Sequence, residues 1–180
     1  MKRSRVIALA GISAALAYIA VLISFYVDMM TLSLNAVAAV AIMLPLTTDS
    51  VKSALFALFS AGALAMLTIG IYGSLWFAIF FGSYTVIAYL LDFRLYRVER
   101  LPKVLRIAII TVVKLVYFTA AFVAMWYIMD LFVNMDGIEE NIPVWLFVVI
   151  SYIAFSLYDL LMRLVYINLR RILKRRIFKD

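Results

Sequence analysis

The 180-residue chain contains no cysteine and no histidine. The first absence excludes disulfides and thiolate chemistry, the second removes the commonest general base, and together they exclude Cys/His zinc sites. Glycine is scarce as well. None of the six glycines falls in the G-x-x-x-x-G-K-[ST] spacing of a phosphate-cradling loop, so any ATP hydrolysis belongs to another chain. Nor do the glycines form the broken-helix pairs of a secondary transporter built from inverted repeats. Charged residues make up only 15% of the chain while 68% is hydrophobic, where ordinary soluble domains are about 45–50% apolar. The bilayer is the solvent for such a chain. Its net charge of +7 is carried by short stretches and a tail beside apolar runs, which reads as topology and attraction to anionic head groups rather than nucleic-acid binding.

What the chain does have is apolar runs approaching or meeting the length of about 20 residues that a helix needs to cross the hydrocarbon. Six can be drawn: Val6 to Tyr26, Met29 to Leu46, Ala54 to Ile71, Ser74 to Leu91, Ile107 to Met129 and Val144 to Ile167. The expected fold is an all-α integral membrane protein, one compact bundle of six transmembrane helices over residues 1–180 with a basic tail over 168–180. The first run follows a basic start but shows no convincing cleavage site, and is read as a retained helix. Pro45 is expected to close the second, and Gly70 to Gly73 to turn the chain between the third and fourth.

Charge then orients the bundle. The stretch DFRLYRVERLPKVLR, Asp92 to Arg106, carries Arg94, Arg97, Arg100, Lys103 and Arg106 between two apolar runs, and such short basic loops stay in the cytoplasm. Fixing it there places Lys2, Arg3, Arg5, Lys52 and the basic tail on the same side. The three connectors left outside hold no Lys or Arg, only Asp28, Asp130, Asp136, Glu139 and Glu140. Both termini are therefore expected in the cytoplasm. A five-span arrangement that omits the short second run sends the N-terminal charges outside, against the rule.

In the first run, Ala10/Ala14, Gly11/Ala15 and Ser13/Ala17 repeat small residues every four positions, which lets another helix come close. They occupy more than one face, so packing inside the bundle and contact with a partner subunit are both open. Three charges lie within the spans. Lys114 is about 10 Å along its helix from Ile107, and Asp159 about as far from Ile167 on the antiparallel neighbour, so the two match in depth. Asp159 and Arg163 are also four apart on one helix, so Lys114, Asp159 and Arg163 could form an ionic cluster near the inner leaflet that serves as a coupling or proton site; the reading preferred is that Lys114 and Arg163 snorkel to the inner head groups. Near the outer face, Tyr26, Asp28, Asn35, Tyr72, Trp76, Trp126, Tyr127, Asp130, Asn134 and Trp145 are candidates for holding a ligand, although Trp and Tyr also gather at interfaces as anchors. Nothing resembles a nucleophile with its base or a paired-carboxylate site, so no enzyme activity is expected.

Six short spans, an alanine-rich first helix with Ala-x-x-x-Ala and a second span ending in proline before a small-residue third resemble the substrate-binding S-components of energy-coupling-factor transporters. The stretch FFGSYTVIAYLLDF, Phe80 to Phe93, is similar to one found in uncharacterised bacterial membrane proteins of this size. The resemblance implies a multi-pass protein of a bacterial or archaeal cytoplasmic membrane that captures a vitamin-like ligand near the outer face. It also implies a scaffold subunit and two ATPase subunits as partners, with Ala10 and Ala14 as the scaffold contact. The family's histidine-rich nickel or cobalt sites are unavailable here, so the implied ligand is organic and no metal or cofactor is expected. A small six-span form with a basic face is also similar to the cell-shape protein MreD, which implies a membrane scaffold instead.

Overall fold

A computed structural model describes residues 3–95, 102–133 and 144–177, and these are all helical apart from short connectors. The helices are α1 (Arg3–Tyr26), α2 (Thr31–Leu46), α3 (Val51–Ile71), α4 (Gly73–Arg94), α5 (Lys103–Val133) and α6 (Val144–Ile177). Five of them are long and apolar enough to cross a membrane, and α2 is a shorter apolar helix. By helix length and hydropathy the chain is a multi-pass membrane protein. A 3-10 turn at Asp28–Met30 joins α1 to α2. Helix runs from α3 into α4 with one interruption, at Gly70, whose φ of 77° lies in the left-handed region that a side chain disfavours. A Cβ at Gly73 would meet Ile69 and Phe25 at 2.7 Å, so the turn also needs its second glycine for space.

Contacts define the two ends of the bundle. Phe25 beside Gly73 brings the α1–α2 connector next to the α3–α4 turn. At the other end the α2–α3 connector meets the last turns of α4 and α6 through Asp49. Its carboxylate accepts from Tyr89 Oη at 2.6 Å and from Arg170 at 2.9 Å, and its carbonyl accepts from Arg94 at 3.5 Å. Asp49 has a φ of 58°, unusual for a residue with a side chain and held here by these bonds from three directions.

α1 packs on α2 and α3, and α2 also touches α4 and α6. The first three helices meet through small side chains: Ala14, Ala17, Ala20, Ala38, Ala39, Ala54, Ala57, Ala61 and Ala65 are all buried in one apolar cluster. In lipid there is little hydrophobic gain from joining helices, so close approach and dispersion contacts carry the association. Pro45 is the penultimate residue of α2, which closes at Leu46 as expected. Lacking an N–H, it cannot satisfy the carbonyl four residues earlier, Ala41, and that carbonyl accepts instead from Ser13 Oγ of α1 at 2.6 Å. Ser13, read from sequence as one more small residue, supplies the hydrogen bond that the proline removes. Thr47 and Thr48 hydroxyls cover the carbonyls of Leu44 and Pro45 at 2.6 and 2.8 Å, and the helix ends there.

The other three helices meet through rings. Phe118 of α5 stacks on Phe155 of α6 with centroids 4.2 Å apart and meets Phe80 of α4 edge-on at 5.5 Å. Two stretches of α4, Trp76–Gly82 and Leu90–Arg94, are π-helical, with wider turns than an α-helix.

An ionic joint between three helices

The charges within the spans gather where α4, α5 and α6 meet. Lys114 Nζ donates to Asp159 Oδ1 and Oδ2 at 2.7 and 2.9 Å, and to Asp92 Oδ2 at 2.8 Å. The Lys114 and Asp92 side chains are each 8% exposed and that of Asp159 27%. Tyr84 Oη of α4 donates a further hydrogen bond to Asp159 Oδ1. A charge in low dielectric carries a heavy desolvation cost unless it is paired and its remaining donors and acceptors are met. Here one ammonium places its donors on two carboxylates from different helices, and a phenol steadies one of them. The joint thereby ties α4, α5 and α6 at one depth.

Two features depart from the sequence-based expectation. The matched depths of Lys114 and Asp159 do correspond to a contact, but the third member of the cluster is Asp92 and not Arg163. Arg163 is exposed and forms no ion pair among the described residues, because the Asp159 carboxylate turns across to α5 instead of along its own helix. Asp92 looked like the first residue of a basic loop. Helix α4 in fact continues through Arg94, and the π-helical turn at Leu90–Arg94 carries Asp92 on the same segment that faces Lys114. Tyr84 was hidden inside an apolar run; a tyrosine amid phenylalanines, two helical turns from an aspartate, was the available signal.

The small-residue pairs of α1 separate by face. Ala10 and Ala14 are 3% and 7% exposed within the chain's own bundle, so they are not the open surface of α1 that the resemblance implied for a scaffold. Gly11 and Ala15 face outward, and a Cβ at Gly11 would meet nothing within 4 Å.

The ligand candidates do not converge as one group. Asn35 is fully buried in a polar knot between α1 and α2: its Nδ2 donates to Thr31 O at 2.8 Å and to Ser24 Oγ at 3.2 Å, while its Oδ1 has no partner among the described residues. Tyr26, Tyr127 and Trp145 are exposed, Trp76 and Trp126 half-buried. Asn134 and the side chains of Asp28, Tyr72 and Asp130 lie outside the described residues. Trp76 and Trp126 are, however, the two ends of one aromatic ladder. Trp76 lies 6.0 Å from Phe80, Phe80 5.5 Å from Phe118, Phe118 6.0 Å from Phe122, and Phe122 6.3 Å from Trp126. Compared with known proteins, the chain matches no family model, no curated protein and no solved structure.

Proposed function

We propose that this membrane protein is a substrate-capture subunit of the S-component kind, binding a small ring-bearing organic ligand and relying on a separate ATP-hydrolysing module. The aromatic ladder is the observation that carries the reading. It climbs α4 and α5 away from the Asp49 end and finishes at two half-buried tryptophans. Half-buried indoles on neighbouring helices offer offset or edge-on contact to a flat ligand. The sequence supports the division of labour, since it has no phosphate-cradling loop. Taken with the charge asymmetry of the connectors, the ligand end is the outer one and the Asp49 end the cytoplasmic one in a bacterial or archaeal cytoplasmic membrane. The protein has no catalytic role in this reading; it binds and presents.

The test is to purify the chain from its native membrane in a mild detergent and identify released small molecules and retained proteins by mass spectrometry. The expected result is one small organic compound, lost on Trp76→Ala and Trp126→Ala, together with a membrane scaffold and ATPases. Recovery with neither compound nor ATPase overturns the proposal.

A second reading has its own observation. Neither of the two cavities described is lined by Trp76 or Trp126, and the stacked Phe118 and Phe155 rings fill the space between α5 and α6. A filled bundle suits a membrane scaffold or assembly protein similar to MreD. Retained partner proteins with no small molecule and no ATPase would favour it.

A further inference from the structure

Beside the ionic joint is a cavity of about 20 Å³ whose lining includes Asp92, Asp159, Arg163, Thr85, Tyr89 and Tyr166. It lies between two polar layers. On one side is the Lys114 joint; on the other, Tyr89 donates to Asp49 Oδ1 of the α2–α3 connector at 2.6 Å and Tyr166 to the carbonyl of Leu46, the last residue of α2, at 3.3 Å.

Three observations specify what fits there. The volume accommodates one water, which needs about 10–15 Å³ and two to four polar partners. Asp92 uses only Oδ2 for Lys114, and among the described residues no donor reaches its Oδ1, although the side chain is 8% exposed. The charges around the space, Asp92 and Asp159 against Lys114 and Arg163, sum to zero, so an added cation or anion would unbalance them while a neutral donor-acceptor would not.

We propose that this cavity is a binding site for a single water molecule. The water donates to Asp92 Oδ1 and to the oxygen of a lining hydroxyl such as Tyr89, whose own hydrogen goes to Asp49, and accepts from Arg163, completing the coordination of the joint. It also closes the gap between the layers. With the water in place, hydrogen-bonding groups run from Asp49, which is nearly half exposed, through Tyr89, the water, Asp92 and Lys114 to Asp159 and Tyr84. The interior of the α4–α6 half is in this way connected by polar groups to the aqueous phase at the Asp49 end.

Hydroxyl-radical footprinting tests the site, because radiolysis of a bound water oxidises the side chains around it even when bulk solvent cannot reach them. Two cavity-lining methionines, Met43 and Met162, are 4% and 2% exposed, and Met125, away from the cavity, is 4% exposed and serves as control. The protein is irradiated in detergent and oxidation of each methionine is quantified by mass spectrometry. Met43 and Met162 are expected to oxidise several-fold faster than Met125, and Ala88→Leu, which pushes a side chain into the cavity, should bring them down to the Met125 level. Equal oxidation of all three in the unaltered protein overturns the proposal, and this comparison stands whether or not the variant folds. Undiminished oxidation in a folded Ala88→Leu variant overturns it equally, since the label then comes from solvent elsewhere.

Discussion

The two halves of this bundle solve one problem in different ways. Helices α1 to α3 are held by absence of bulk: alanines at the contacts let backbones approach, and the buried polar groups there are spent on local repairs such as Ser13 to Ala41 O. Helices α4 to α6 carry large rings, which keep backbones apart, and a charged joint pins them. The first solution is spread over many weak contacts and is insensitive to any one of them being slightly reduced. The second concentrates its cost and gain in one cluster. Removal of a group should therefore be felt most in the second half, and addition of bulk most in the first.

The largest effect is expected at Lys114. Lys114→Met strands two carboxylates, and breaking a buried ion pair costs on the order of 3–5 kcal/mol. Thermal unfolding in detergent should show that loss. Because Lys114 has two partners, adding Asp159→Leu alone should recover only part of it, while adding Asp92→Leu as well should recover most; full recovery in the first double variant would mean that Asp92 is not part of the joint.

Next comes bulk in the alanine half. Ala61→Leu and Ala17→Leu, at fully buried positions, should each destabilise by about 1–3 kcal/mol through overpacking. The pair Ala10→Leu and Ala14→Leu should behave alike, weakening the fold itself and not merely an association. A folded double variant with unchanged melting would move those alanines out of the core.

A smaller and more diagnostic effect is expected from Ser13→Ala, which leaves the Ala41 carbonyl without a donor at a cost of about 1–2 kcal/mol. Pro45→Ala returns an N–H to that carbonyl. The serine substitution should then cost little in the Pro45→Ala background, and an unchanged cost there would refute the link between the two residues. Smallest of all, Gly11→Leu adds a side chain to the outward face of α1 and should leave melting within about 0.5 kcal/mol of the parent.

Much of the fold was legible because lipid imposes a length and a polarity on each span. All six helices fall where apolar runs predict them, yet α5 and α6 extend well beyond the 107–129 and 144–167 runs, since a helix need not stop where the hydrocarbon does. Lys114 and Asp159 were findable from depth alone. Asp92 was not, because in sequence it is the first letter of a charged stretch and only tertiary packing decides whether α4 carries it inward. Ser13 was misread for a related reason: it is small, and only the neighbouring proline makes its hydroxyl necessary. Side-chain direction likewise separated Ala10 and Ala14 from Gly11 and Ala15, which four-residue spacing alone could not do.

The π-helical turns of α4 have a consequence for how the chain tolerates length changes. One residue removed from an α-helix rotates everything after it by about 100°. Tyr84 and Asp92 both serve the same ammonium-centred cluster, so the number of residues between them is fixed by geometry, and losing one there would swing Asp92 off Lys114. Insertions and deletions should therefore be refused between Tyr84 and Asp92, even where the hydropathy of the span is unchanged.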